Sequence, residues 1–502
     1  MIDTFSVEHQ PGRDLRIADP ALGYAYTISA RGPDELMYGA LISPIGLRSI
    51  DVCQLSKSAH DDTIPGLEKY RRFQHIAGIY EGYRHFSNGR KLTESQMIRY
   101  MFAAALDDFG HGVKSHSTDI MMEGVGGREK FHQARVAQII AFGGLAEVFG
   151  ARNIHINPKT IRRNLPFWVE NDVGEPKLDD TNYIAGESRT WFLENELVIA
   201  ATAFDALEID KDGHFVFPDH DKARVWGKVG LLLSSEHWND PLNRLDELIG
   251  VEAMKRIIFK RYLEGVDDVD NGVQVDPEDY TFFCDSDFDT ALRNHAIDNR
   301  NEDGFITAAY NLTGMIGQME RERFVTHKRP IYEEFLADHG AREYPSPYIN
   351  PHIAKFGPIP VNVEVIGNLD EVRARDTEGR GKLLAMNGKP IGHLKNFKKR
   401  QYNPLVYDKH GNTVKLSQVD PIYAGLLRQQ GLAVTYTTAM KLLMNQAAEQ
   451  TFCEALKSNE QAMKAAAENR NPLSEDQLRR VIRGSAKRAV AVATARGMWR
   501  EV

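Results

Sequence analysis

The sequence predicts a mainly α protein, with a helical core carrying small β insertions over residues 1–340 and an α+β region over residues 341–502. Three observations predict it. Apolar residues recur at spacings of three and four from Tyr70 to about Gly150, through RRFQHIAGIYEGYRHF, SQMIRYMFAAALDDFGH and EKFHQARVAQIIAFGGLAEVF. Strand-like alternation is confined to short runs. With 502 residues and 42% apolar side chains, the chain has ample material for a core and for more than one structural unit.

Taken in order, the Tyr70–Gly150 stretch is the helical heart. The run LVIAATAFDALEIDKDGHFVF, Leu197 to Phe217, alternates around Asp212–Gly213 and predicts a hairpin. Its EIDKDGHFVFPD portion has partial calcium-loop spacing, but it begins with Glu208 and has strand-like flanks, so a turn is the simpler reading. Helical periodicity resumes at Asp221 and continues through WGKVGLLL and DELIGVEAMKRIIFKRYL. After Gly340 the chain becomes proline-rich and irregular, VNVEVIG reads as a strand, and a boundary is placed there. From Asp420 the pattern is again helical, with Ser474 and Gln477 spaced as a capping box. No internal repeat is evident.

The 62 Lys and Arg against 70 Asp and Glu give a net charge of −8, which excludes a whole-chain, sequence-blind binder of polyanions. The charge is uneven, however: Ala341 to Val502 carries 25 basic and 15 acidic residues, a balance of +10 that leaves −18 for the rest. Within the basic part, Lys389, Lys395, Lys398, Lys399 and Arg400, with Phe397 and Tyr402, form a candidate site for nucleic acid or another anionic effector; an ordinary charged surface is the plainer reading. Cys53, Cys284 and Cys453 show no knuckle spacing, which fits a reducing compartment. The opening MIDTFSVEHQPGRD lacks a basic and then greasy signal, and no long apolar run appears, so the expected location is cytoplasmic.

The densest ionisable cluster is ALDDFGHGVKSHSTD, Ala105 to Asp119. On a helix, Asp107 and Asp108 share a flank with His111, and Gly110 and Gly112 would end that helix and let backbone approach a ligand. Arg72 and His75 lie one turn apart upstream. Carboxylates with imidazoles are the usual components of divalent-metal sites, and a solvated helix end is the alternative.

RFQH at Arg72–His75, followed by DDFGHGVKSH at Asp107–His116, resembles the RFEH…HDxGHGxxSH signature of the HD-domain phosphohydrolases, in the branch of the dNTP triphosphohydrolases. Four further segments resemble that branch in the same order: DPALGY at Asp19–Tyr24, LISPIGLRSIDVCQL at Leu41–Leu55, LDDTNYIAGES at Leu178–Ser188, and DYTFFCDSDFDTALRNH with HKRPIYEEF after it. The resemblance spans about Asp19 to Phe335 and implies an HD-domain helical core. It implies metal ligands at His75, Asp107, Asp108 and Asp179. Substrate contacts fall at Gln54, Leu55, Arg72, His116, Tyr183 and Glu187, and scissile-phosphate contact or proton transfer at His111, His116 and His132.

Three departures stand out. Asp107 replaces the signature histidine, Gln133 a glutamate that charges the catalytic imidazole, and Gly186 an arginine. One His with three Asp is a harder, more negative ligand set that favours Mg or Mn over Fe or Zn. The resemblance thus implies a metal-dependent phosphohydrolase of nucleotides, with catalytic His111, His132 and Asp108, a deoxynucleoside triphosphate as leading substrate, and a homo-oligomer. The alternative is a degenerate nucleotide-binding sensor or scaffold. A di-iron oxygenase is disfavoured, because it would need the missing imidazole.

Overall fold

In the computed structural model the described residues are 5–53, 70–87, 108–123, 132, 135–151, 176–192, 195–233, parts of 250–258, 279–298, 329–338, 382–384, 390–393, 402–429 and 473–502. They are mainly helical with small sheets, as expected. The chain forms two compact units that interleave in sequence. The first is Met1–Val169 with Glu247–Gly314 and Ala455–Val502, and the second is Glu170–Asp246 with Met315–Glu454. The expected cut after Gly340 falls inside the second unit.

In the first unit, strands Ser6–Gln10, Asp14–Asp19 and Tyr24–Ser29 form an antiparallel meander, and Trp499–Glu501 adds in parallel to the free edge of the first. Alternation buries Val7, Leu15, Ile17, Tyr26 and Ile28 on one face. That face meets the helix Arg72–Ser87: Phe73 lies edge-on to both Phe5 and Trp499, at centroid distances of 6.5 and 6.2 Å. The strand end is pinned to this helix as well. The Asp19 carboxylate accepts from Gln74 Nε2 at 2.7 Å, so the residue beside His75 cannot rotate without breaking a buried bond.

The long helix Glu475–Ala495 opens on the expected capping box, Ser474 with Gln477, and packs Leu478, Val481, Ile482, Ala486 and Ala489 into this unit. Its Arg488 and Ser485 hold the carboxylate of Asp287. Arg48, at the end of the short helix Pro44–Arg48, is fully buried and donates to the carbonyls of Phe109, His111 and Phe283. One guanidinium therefore fixes the loop that carries His111, since its several donors satisfy three backbone acceptors that water cannot reach.

The second unit centres on the helix His220–Leu232, capped by the Asp219 side chain on the Asp221 and Lys222 amides. Trp226 is fully buried against Tyr402, and Gly227 and Gly230 let Tyr423 and Tyr402 lie directly on the helix backbone. The hairpin at Asp212–Gly213 forms, but only over Glu208–Ile209 and Phe215–Val216. Leu197–Thr202, read as alternating strand, belongs instead to a helix, Glu196–Thr202, because the Asn195 side chain caps the amides of Leu197 and Val198. The Asp210 carboxylate there is taken by the amides of Asp212 and His214 and by the Thr413 hydroxyl, so this is a hairpin turn and not a cation loop. VNVEVIG lies outside the described residues, and no helix among those described is long and apolar enough to cross a membrane.

Candidate active site

In the first unit, the Arg72–Ser87 helix presents Arg72 and His75 from its opening turn, and both are buried. Asp108 comes to meet them. Its Oδ2 lies 3.1 Å from His75 Nε2, while its Oδ1 pairs with the Arg72 guanidinium and stands 3.5 Å from His111 Nε2. Arg72 is held on its other edge by Ser115 Oγ, at 3.2 Å from Nε and 2.5 Å from Nη2. Arg72, His75 and Asp108 thus meet around one carboxylate whose side chain is 12% exposed.

The loop from Gly110 to Ser115 reaches this arrangement through two residues with left-handed backbone, Lys114 and Ser115, at φ of 53° and 54°. Such conformations cost about 1–3 kcal/mol each for non-glycine residues, and the surroundings over-determine them here. The Lys114 amide donates to Asp285 at 2.6 Å, its ammonium meets Asp289 at 2.9 Å, and Ser115 is locked on Arg72. Gly112, expected to admit a ligand, has a different reason for its size. A Cβ there would lie 2.8 Å from the Thr118 side chain.

Beyond the turn, the helix His116–Glu123 places His116 and Asp119 one turn apart. Asp119 gathers three imidazoles. Its Oδ2 is 2.7 Å from His132 Nδ1, 3.4 Å from His116 Nδ1 and 4.0 Å from His111 Nδ1, and its Oδ1 accepts from the His132 amide at 3.0 Å. His111 and His132 stack with centroids 4.0 Å apart. Burial, reinforced by Arg72 and the neighbouring imidazoles, holds His111 well below the usual histidine range, so it is neutral. Burial alone would raise the Asp119 carboxyl, but the hydrogen bonds with His116 and His132 outweigh it and keep the group ionised. Asp119 and Ser115 were given no role in the sequence reading. The spacing of His116 and Asp119, three apart at a helix start, was the available signal for the first.

In the second unit, Asp179, Tyr183 and Glu187 occur four apart on the helix Leu178–Phe192, and so share one face of it, with Glu187 buried and the other two half-buried. Gln54, Leu55, Asp107 and Gln133 lie outside the described residues, as do Lys389, Lys395, Lys398, Lys399 and Arg400.

The donors suit a divalent cation. Two ligand atoms each about 2.1 Å from a small ion sit roughly 3.0–3.4 Å from one another, which is the separation of His75 Nε2 from Asp108 Oδ2, at 3.1 Å.

No protein-family model and no curated protein matches the chain. Among solved structures, it is similar to a crystal structure of a phosphohydrolase from Bacteroides thetaiotaomicron, at 15% identity and a TM-score of 0.43, over 81% of this chain and 94% of that one.

Proposed function

We propose that the chain is a metal-dependent phosphohydrolase acting on nucleotides, with a deoxynucleoside triphosphate as the leading substrate. The observation that carries this reading is the division of labour on Asp108: one oxygen faces a buried imidazole at cation-sharing distance and the other faces Arg72 and His111. The motif resemblance adds Asp107 and Asp179 to His75 and Asp108 as cation ligands, a hard set that suits Mg or Mn. A divalent ion held there would polarise a phosphoryl oxygen and offset charge developing on it.

The chain's own residues do the rest. Arg72, kept in place by Asp108 and Ser115, supplies fixed positive charge for the phosphates. His111 is neutral and anchored through its carbonyl to Arg48, so it serves as a positioned hydrogen-bonding group. His132 is the proton donor to the leaving oxygen. The loss of a glutamate at Gln133 is made good by Asp119, whose ionised carboxylate 2.7 Å from His132 Nδ1 stabilises the imidazolium. His116 approaches the same carboxylate from the solvent side and contacts the departing phosphates. Gln54, Leu55, Tyr183 and Glu187 complete the substrate set on the resemblance alone, and a homo-oligomer with an anionic effector at the Lys389–Arg400 segment belongs to the same proposal.

The test offers a panel of nucleotides to the metal-stripped chain with Mg, Mn, Fe or Co added back, separating phosphate, pyrophosphate and triphosphate. Turnover that disappears in Asp108→Ala supports the proposal. Tight nucleotide binding without product under any metal replaces it with a sensor. Asp107→His is expected to move the preference toward Fe, Co or Zn, and an unchanged preference removes Asp107 from the ligand set.

A further inference from the structure

We infer that His111, His116, Asp119 and His132 form a second cation site, separate from the one on Asp108 and suited to a transition ion such as zinc or cobalt(II). One donor atom from each of the four lies within 4.8 Å of the others. Three imidazole Nδ1 atoms surround a single oxygen, Asp119 Oδ2, at 2.7, 3.4 and 4.0 Å. Four donors about 2.0–2.2 Å from a tetrahedral ion stand about 3.4 Å apart, so the observed separations, all within 4.8 Å, bracket the loaded geometry.

A second observation points to a ligand. His111 is 3% exposed, and its Nδ1 has no hydrogen-bond partner among the described residues. A carboxylate oxygen has two lone pairs, and those of Asp119 Oδ2 face His132 and His116. The third imidazole nitrogen is left over, and an ion at the centre satisfies it together with the other three donors. The chemistry of the set is nitrogen-rich, His3Asp, which suits zinc or cobalt(II) where the harder set proposed around His75 suits Mg or Mn. Entry is provided for, because the His116 side chain is 47% exposed while the other three residues are buried.

The inference stands without the hydrolytic reading, and it adds an opposition to it. An imidazole that has given its Nδ1 to an ion cannot hold that nitrogen on Asp119, so a filled site withdraws the support from His132 on which proton donation depends.

The experiment titrates the chelator-stripped full chain with cobalt(II) and follows visible absorption, where tetrahedral cobalt absorbs strongly and six-coordinate cobalt weakly. One intense equivalent is expected, displaced by zinc, which binds such donors more tightly. It is expected to persist in Asp108→Ala and to weaken by at least about 100-fold in both His116→Ala and Asp119→Ala, since even losses outside the ligand shell cost up to that much. His116→Ala changes a half-exposed side chain, and circular dichroism verifies its fold. An intense band absent from the wild-type chain overturns the inference, as does wild-type affinity in either variant. Loss of the band in Asp108→Ala also overturns it, by assigning the ion to the first site.

Discussion

His75 Nε2 stands 3.1 Å from Asp108 Oδ2, while the other oxygen of the same carboxylate holds the guanidinium of Arg72. A buried guanidinium and a buried imidazole thus share one acid. Asp108→Ala removes the partner of a buried arginine, a change that costs about 3–5 kcal/mol where such pairs are broken. Asp108→Asn keeps an acceptor for Arg72 and is expected to lose less. Both variants are expected to lose at least about 100-fold in metal-dependent turnover. Urea denaturation beside phosphate release separates the two effects, and equal stability of the variants would count against the ion pair.

Asp119 is the partner that orients His132, accepting from its amide and lying 2.7 Å from its Nδ1. Asp119→Asn keeps the shape and removes the charge. Turnover is expected to fall by about 10²–10⁴-fold, the range of a lost proton-transfer contribution, with KM little changed. A rise in KM at constant kcat would instead make Asp119 a substrate-binding group.

Lys228 gives a prediction for the second unit. Its ammonium is buried, donates to the carbonyls of Phe335 and Asp338 and faces the Phe335 ring at 4.7 Å. Burial pushes it from 10.5 to about 8, with Asp338 and Asp420 opposing and Arg224 assisting. Between those two values the unfolded chain holds a proton that the folded chain has released, so the group's contribution to stability rises with pH across that window and is constant below it. Lys228→Met is expected to lose this rise. Stability of both chains between neutral pH and about pH 10 reads it out; parallel curves would refute the shift.

Gly230 faces the ring of Tyr402 so closely that a methyl group has no room. Gly230→Ala is expected to destabilise the second unit by about 1–3 kcal/mol despite the better helix propensity of alanine, because overpacking against an immobile ring outweighs the gain. Combining it with Tyr402→Leu is expected to recover most of the loss, measured by denaturation of the double variant. Additivity of the two changes would show that the ring is not the obstacle.

What was legible in the sequence followed the strength of local signals. The capping box of Ser474 and Gln477, the Asp212–Gly213 turn and the helical run after Arg72 are each written in neighbouring residues, and each forms. The strand expected at Leu197–Thr202 failed because β-branched apolar residues read equally well as a short buried helix, and the deciding cap, Asn195, lay just outside the alternating run. At the site, the motif resemblance named Arg72, His75, Asp108 and the three histidines, which the structure gathers on the carboxylates of Asp108 and Asp119. It missed Arg48 and Ser115, which act through contacts 63 and 43 residues away in sequence. Positive φ at Lys114 and Ser115 was unforeseen, because neither residue type favours that backbone and it is the bonds to residues distant in sequence, Asp285, Asp289 and Arg72, that hold it.

Val7 and Trp499 are opposite one another in parallel register, so the meander that carries Phe5 onto the Arg72–Ser87 helix acquires its outer strand from the far end of the sequence. On the ribosome the Ser6–Gln10 strand emerges long before its partner Trp499–Glu501 and waits, edge open, while the segments of the second unit are synthesised in full. A nascent chain halted before Trp499 would display that unpaired edge, a surface on which chaperones act and neighbouring chains aggregate.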